Sequence, residues 1–415
     1  MTVRDPALNA RGSQPDSGDL WLFLGIRFFA TLGVQIQAVA VGWQVYDISG
    51  SPTALGLVGL SQFLPMVLMV LPAGDLADRF DRRFMLMASY GVQGLASALL
   101  ITLSLMGVHD VWPFYGAAAL FGVALGLSQP AMQSILPFLV TADRLPQAIA
   151  WGSSANLTAI IGGPAVGGLL LPLGPLANYG LCLVLFLGAS IVLLSLRLRR
   201  SSEAPSPGTA MQRILDGIGY IFRRPILLGA ISLDLFAMLL GTVTGLLPIF
   251  ARDILHVGPT GLGFLRSATA IGAALVAFAL ARWPLQRHTG AAMYFCVALF
   301  GAAMIVFGLS WNFYLSFFTL VLAGAADMVS VYIRSALAQL ATPDNLRGRV
   351  GSVSSLFVGA SNQLGDFRSG VSAGLFGAVP AVVMGGIGTL AVVALWMWLF
   401  PPLHRVDRFS EVVVR

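Results

Sequence analysis

Ionisable side chains stand inside stretches that are otherwise apolar enough to cross a bilayer, among them Arg27, Asp234, Asp327, Arg334, Asp366 and Arg368. Charges at membrane depth are expensive and mark proton relays, substrate contacts or paired structural links. Asp327 and Arg334 lie seven residues apart, which puts them on one helix face two turns apart and predicts that both point inward. Asp366 follows Gly365 and lies four residues after Asn362, so Asn362 and Asp366 are expected to share a face. A carboxyl held between burial and a nearby arginine loads or releases a proton when one contact breaks. The three acids of the C-terminal half, with Arg27, Arg334 and Arg368, are therefore the proton-coupling candidates. Structural ion pairing without titration is the plainer role open to each of them.

A second group is polar but uncharged. Gln35, Gln37, Gln62, Gln129, Gln133, Asn156 and Asn362 fall within apolar stretches and are the candidates for lining a substrate cavity. Hydrogen bonding between helices is the alternative role for each amide. Trp43 and Tyr46 sit near the end of the first stretch and read as interfacial anchors.

The elements that must hold these residues follow from composition. Of the 415 residues, 57% are hydrophobic and 10% charged, against about 25% charged in soluble domains. A span needs roughly 20 apolar residues. Twelve apolar runs are visible, at about 20–46, 54–74, 84–107, 112–140, 146–172, 177–196, 226–251, 260–282, 290–310, 313–341, 348–377 and 381–400. Loop arginines set orientation. Arg79, Arg82, Arg83, Arg144, Arg197, Arg199, Arg200, Arg213, Arg223, Arg224, Arg282, Arg287, Arg347, Arg349, Arg405 and Arg408 fall on one side and Arg252 alone on the other, so both termini are expected in the cytoplasm.

The expectation is an all-α integral membrane protein of twelve transmembrane helices. Residues 1–19 form a cytoplasmic tail, 20–196 a first six-helix bundle, 197–225 a linker, 226–400 a second six-helix bundle and 401–415 a cytoplasmic tail. Within the linker, Met211, Ile214, Leu215, Ile218 and Ile221 recur at helical spacing, which predicts an amphipathic surface helix. Thr141-Ala142-Asp143-Arg144-Leu145 is echoed by Thr342-Pro343-Asp344-Asn345-Leu346 at equivalent places in the two halves, as parallel repeats require. The first run carries Arg27, Gln35 and Gln37 and is preceded by a polar segment, which does not read as a cleaved signal.

Function classes can be excluded on the same ground. The net charge of +6 is carried by arginines spread over short loops rather than on one patch, so no nucleic-acid partner is expected. Cys182 and Cys296 are isolated and the four histidines all fall in loops, so neither a metal site nor a nucleophile–base pair is expected. The chain is read as no enzyme and as needing no cofactor beyond a proton gradient.

Two motifs carry more. Gly74-Asp75-Leu76-Ala77-Asp78-Arg79-Phe80-Asp81-Arg82-Arg83 makes a charged turn between the second and third runs. Gly162-Gly163-Pro164-Ala165-Val166-Gly167-Gly168 lies in the fifth, where small residues permit close helix packing and proline permits bending. The turn resembles the loop signature of the major facilitator superfamily, with Asp81 where that family has glycine. The Gly163, Pro164, Gly167, Gly168 core resembles the fifth-helix signature of its antiporters. Together with Arg27, Arg347-Gly348-Arg349 and Asn362-Gln363-Leu364-Gly365-Asp366, the chain resembles the branch that holds the enterobactin exporter and drug-efflux proteins.

That resemblance implies two bundles around a central cavity, alternating access, and proton-coupled export of a small amphipathic or aromatic, siderophore-like or drug-like compound. The setting would be the inner membrane of a bacterium, with the protein a monomer. It also implies a conformational latch at Gly74, Asp75, Asp78, Arg79, Arg82 and Arg83, with Asp78 set against the start of the eleventh span near Gly348 and Gly351. Phe121-Gly122-Val123-Ala124-Leu125-Gly126 lacks the fourth-span arginine of many proton-coupled members, which moves the coupling burden to the C-terminal acids. Uptake or facilitated diffusion of a small polar solute is the alternative, and a non-transporting receptor or membrane enzyme a remote one.

Overall fold

The computed structural model describes residues 17–79, 81–141, 143–196 and 210–412. Thirteen long helices run through them: α1 Ser17–Ser49, α2 Pro52–Arg79, α3 Arg82–Leu105, α4 Trp112–Leu139, α5 Leu145–Leu170, α6 Pro175–Leu193, α7 Ala210–Phe222, α8 Pro225–Gly241, α9 Gly258–Arg282, α10 Thr289–Leu309, α11 Phe313–Leu340, α12 Asp344–Phe376 and α13 Ala378–Leu399. Short helical pieces from Thr244 to Ile254 continue α8 towards α9. Ten helical stretches are long and apolar enough to cross a membrane, and the protein is a multi-pass membrane protein. α4 holds a shorter apolar segment, Trp112–Ser128. α12 falls outside the ten because it carries Arg347, Arg349, Asp366, Arg368 and a series of serines.

Local chemistry sets the helix starts. Proline occupies one of the first two positions of α4, α5, α6, α8 and α9, where its missing N–H costs nothing. Asn312 accepts from the Tyr314 and Leu315 amides at the start of α11. Asp81 is the N-cap of α3 and accepts from the Arg83 amide at 2.9 Å. The residue that departs from the turn signature thus satisfies an otherwise orphaned donor.

In the first half α2 packs on α4, α1 on α5 and α6, and α3 on α4 and α6. In the second, α9 packs on α11, α10 on α11 and α13, and α8 on α12 and α13. Two helix pairs join the halves, α2 with α12 and α5 with α9. Both depend on glycine. A Cβ at Gly168 would stand 2.7 Å from the Gly263 Cα, and one at Gly370 would stand 2.6 Å from the Gly56 Cα, so backbones touch where side chains would hold them apart.

The linker reading meets a helix at α7. It packs against the start of α12 through Gly217 and an Asp216–Arg349 ion pair at 2.7 Å, and against the end of α11 through a hydrogen bond from the Tyr220 hydroxyl to the Ala341 carbonyl at 2.6 Å. Met211 and Leu215 remain exposed. The expected run at 226–251 is not one helix. It breaks at Thr242, whose backbone is extended (φ −63°, ψ 132°). The Thr242-Val243-Thr244 run, flanked by Gly241 and Gly245, disfavours continued helix.

Candidate transport site

A cavity of about 250 Å³ lies between the halves. Its walls come from α1, α2, α3 and α4 on one side and from α9, α12 and the broken segment after α8 on the other. Gln35, Gln37, Gln62 and Gln363 supply amides, Phe121 an aromatic face, and Arg266 and Asp366 the charges among its lining residues.

Asp366 is held by the helix break. Its Oδ1 accepts from the Gly245 amide at 2.8 Å, so the N–H freed at the break finds a carboxylate on α12. Arg368, two residues on, turns away from the cavity and donates to the Leu240 carbonyl on the other side of the break. Arg266 reaches from α9 to the Ala38 carbonyl of α1, with its Nη1 at 3.1 Å. That bond crosses from one half to the other.

The two halves also meet at a clasp on the face formed by the α1–α2 turn and the segment before α9. Arg252 Nη1 lies 2.9 Å from Asp47 Oδ1. The Tyr46 hydroxyl donates to Asp253, and the Arg252 guanidinium stands over the Tyr46 ring. Tyr46 is 7% exposed. Beside the anchor role expected of Tyr46, its hydroxyl makes a hydrogen bond from one half to the other. Within the α5–α9 crossing, the Ser267 hydroxyl of α9 donates to the Ile161 carbonyl of α5 at 2.8 Å.

A second charged group lies inside the C-terminal half, apart from the central cavity. Arg334 Nε is 3.2 Å from Asp234 Oδ2, both side chains being 6% exposed. Ser330 donates to Asp234 at 3.2 Å, and Arg334 donates to Ser354 at 2.7 Å. Asp327 lines the same small hollow as Asp234 and Ser330. The structure thus gathers Asp234, Asp327 and Arg334 in one place and Asp366 in another.

The remaining candidates divide. Gln35, Gln37 and Gln62 line the cavity, although Gln37 also accepts from Ser97 at 2.8 Å. Asn156 does not line it, and its Oδ1 accepts from Thr31 at 3.2 Å within the first half. Asn362 shares the α12 face of Asp366 but is exposed and absent from the lining, so its cavity-lining reading is corrected; Gln363 takes the cavity position. The side chains of Gln129 and Gln133 lie outside the described residues. Arg27 is half-buried in the first half, facing the Gly152 position of α5 at 3.4 Å.

In the charged turn, the side chains at 74, 75, 78 and 79 lie outside the described residues. Among the described residues, nothing comes within 4 Å of a Cβ at Gly348 or Gly351. Arg83 ties the turn to the end of α6 by donating to the Leu196 carbonyl at 3.0 Å. The Gly-Pro motif packs rather than interrupts: α5 runs unbroken through Pro164, with Gly163 against Gln35 and Gly167 against Ile36 of α1 and Gly168 against α9.

Sequence reasoning missed Arg266, Gln363, Gly245 and the Asp47–Arg252 pair. Arg266 carried the same signal as the other buried charges, an arginine within an apolar run. Nothing in the local sequence ties Gly245 to Asp366, because their contact spans 121 residues.

The chain is 27% identical over 376 residues to the enterobactin exporter EntS of Shigella dysenteriae serotype 1 (strain Sd197), covering 88% of this chain and 84% of that protein. The EntS of Escherichia coli O81 (strain ED1a) matches to the same extent. A POT family transporter solved in complex with 5-aminolevulinic acid superposes with a TM-score of 0.75 at 11% identity, covering 92% of this chain and 96% of that one. A bacterial homologue of the lysosomal transporter Spinster, inward-facing and occupied, gives 0.71 at 15% identity over 97% and 98%. At those identities the likeness is one of fold. These proteins are transporters and not enzymes. Residues 20–411 match the transmembrane secretion effector family, and the chain belongs to that family of major facilitator transporters.

Proposed function

We propose that this protein is a proton-driven exporter of a small amphipathic or aromatic compound, siderophore-like or drug-like, working by alternating access in the inner membrane of a bacterium. The observation that carries the reading is the central cavity, whose wall is shared between two halves that touch through glycine-mediated helix pairs and an exposed clasp. Such a site changes exposure when the halves rock about their shared contacts, which are glycine-mediated helix pairs, polar bonds and a buried apolar cluster that draws on α1, α2 and α9. In this reading twelve helices cross the membrane, α7 lies at the cytoplasmic surface, both termini are cytoplasmic, and the clasp faces outwards. The arginine-rich loops support that orientation. Similarity to the enterobactin exporter favours export and a siderophore-like substrate.

Asp366 is the acid best placed for coupling. It alone among the candidate acids lines the cavity, and it holds the break after α8 through Gly245. Taking up a proton removes the charge that makes it a strong acceptor, loosening the broken segment beside the substrate path. Asp234 and Asp327 form a second, enclosed candidate site whose arginine partner stays within the same half.

The test is flux in proteoliposomes loaded with a fluorescent amphipathic panel that includes an aromatic siderophore, with and without an imposed pH difference. Gradient-dependent movement of any member is the expected result. Movement only down the solute's own gradient refutes proton coupling, and no movement refutes the substrate class.

A further inference from the structure

We propose that Arg266 is the substrate-recognition residue of the central cavity, and that it selects compounds carrying an acidic group at neutral pH. The inference rests on the cavity being the path of the transported molecule, and it names the chemical class that path accepts.

A guanidinium presents five N–H donors and no acceptor, and it stays protonated. Arg266 lines the cavity from α9, and the hydrogen bond found for it runs to one backbone carbonyl, that of Ala38. Among the described residues no carboxylate oxygen lies within ion-pairing distance of it. Its cavity neighbours Gln35, Gln37, Gln62 and Gln363 are neutral. Asp366, the other charge in the wall, lies near enough to Arg266 for the two to attract each other without forming an ion pair, and is itself engaged by the Gly245 amide. The cavity therefore holds a cation with donors to spare and an anion already hydrogen-bonded. A guanidinium fork binds a carboxylate or another planar acid through two parallel bonds, roughly twice as strong as neutral ones. The apolar remainder of the lining, with Val34, Val41, Val58, Phe121 and Leu125, suits the aromatic or aliphatic body of such a molecule.

The same residue ties recognition to movement. The Arg266–Ala38 bond joins α9 to α1 across the halves. An acid entering the cavity is a better acceptor than a peptide carbonyl and draws the guanidinium off Ala38. A substrate's charge thus removes a cross-half bond, which a neutral analogue of the same shape does less well.

The test uses three matched fluorescent probes: pyrenebutyrate, its primary amide and pyrenebutylamine. Binding is measured by fluorescence with the purified full-length protein in detergent, and flux is measured separately in proteoliposomes. The wild-type protein is expected to bind the carboxylate about tenfold or more tightly than the amide, as a charge-assisted bidentate bond implies. Arg266→Gln is expected to bring the two within about twofold of each other, chiefly by weakening carboxylate binding, with Arg266→Lys retaining part of the preference. A merely structural arginine would lower binding of all three probes together and leave their ratio intact, which overturns the proposal. Tighter binding of the amine, or no carboxylate binding up to about 1 mM, overturns it as well. Carboxylate-selective binding that Arg266→Gln abolishes, in a protein that moves no probe across vesicles, upholds the recognition site and counts against the transport reading alone.

Discussion

At the scale of single residues, the carboxylate of Asp366 does two things that substitution separates. Asp366→Asn keeps an oxygen that accepts from Gly245 but cannot take up a proton, so it is expected to fold normally and to lose acceleration of flux by an imposed pH difference. Asp366→Ala removes the acceptor, leaves the Gly245 amide unsatisfied, and should lower stability by about 1–3 kcal/mol, read as a lower unfolding midpoint in detergent. If Asp366→Asn responds to the pH difference as the wild type does, Asp366 is not the coupling acid. Asp81 offers a second residue-scale test. Capping the Arg83 amide gives it a role that alanine cannot fill. Asp81→Ala should cost about 1 kcal/mol, whereas Asp81→Gly, the family's usual residue, should cost a few tenths. Equal losses in the two variants would show that the cap does not account for Asp81. Both roles are invisible in composition, because an aspartate in a turn and one in a span look alike until the donor they face is known.

At the scale of elements, helix crossings decide what can move. The Gly-Pro motif of α5 reads as permitting close packing and bending, and its glycines set distances. Gly163 and Gly167 face α1, and Gly168 faces α9. Gly162 of the same motif has nothing within 4 Å of its Cβ position, which provides an internal control. Gly168→Ala places a methyl 2.7 Å from the Gly263 Cα and is expected to push the halves apart at that end and slow flux. Gly162→Ala should keep flux at about half the wild-type rate or better, since overpacking costs of about 1–3 kcal/mol arise only where space is filled. Spin labels on the α1–α2 turn and the segment before α9 would report a longer distance in Gly168→Ala alone. An identical distance in the two variants would remove the α5–α9 crossing from the closure. The break after α8 belongs to this scale too: β-branched residues and flanking glycines permit it, and α12 supplies the acceptor that makes it tolerable in an apolar setting.

At the scale of the whole molecule, the halves are held on one face by the clasp of Tyr46, Asp47, Arg252 and Asp253. Exposed pairs contribute little, about 0–1 kcal/mol, which suits a contact that must form and break in every cycle. Asp47→Asn is accordingly expected to raise the population open at that face by no more than about fivefold, measured as faster modification of a cysteine placed in the cavity wall. Arg252→Gln in the same background should add less than it does alone, since the two substitutions remove one bond. Additive effects would mean that Asp47 and Arg252 act separately. Such a shift changes rate without touching the cavity lining, so substrate affinity should stay within about twofold of the wild type once the conformational fraction is accounted for.

Much of this architecture was already present in the chain. Hydrophobic runs of spanning length, arginines biased to alternate loops, the charged turn after Gly74 and the Gly-Pro core after Gly162 identify a multi-pass transporter, because each reports a local cost of placing charge or backbone in a bilayer. The buried charges were legible for the same reason, with Arg266 the one passed over. What no local pattern held was the pairing among them. Asp234 meets Arg334 across 100 residues, Gly245 meets Asp366 across 121, and Arg266 meets Ala38 across 228. Those partners are set by which helices cross and at what height, and that depends on glycine-mediated approach between elements far apart in the chain. Sequence therefore determined that charges would be buried and that helices would hold them; tertiary structure decided which ones face the cavity, which pair within one bundle, and which join the two halves.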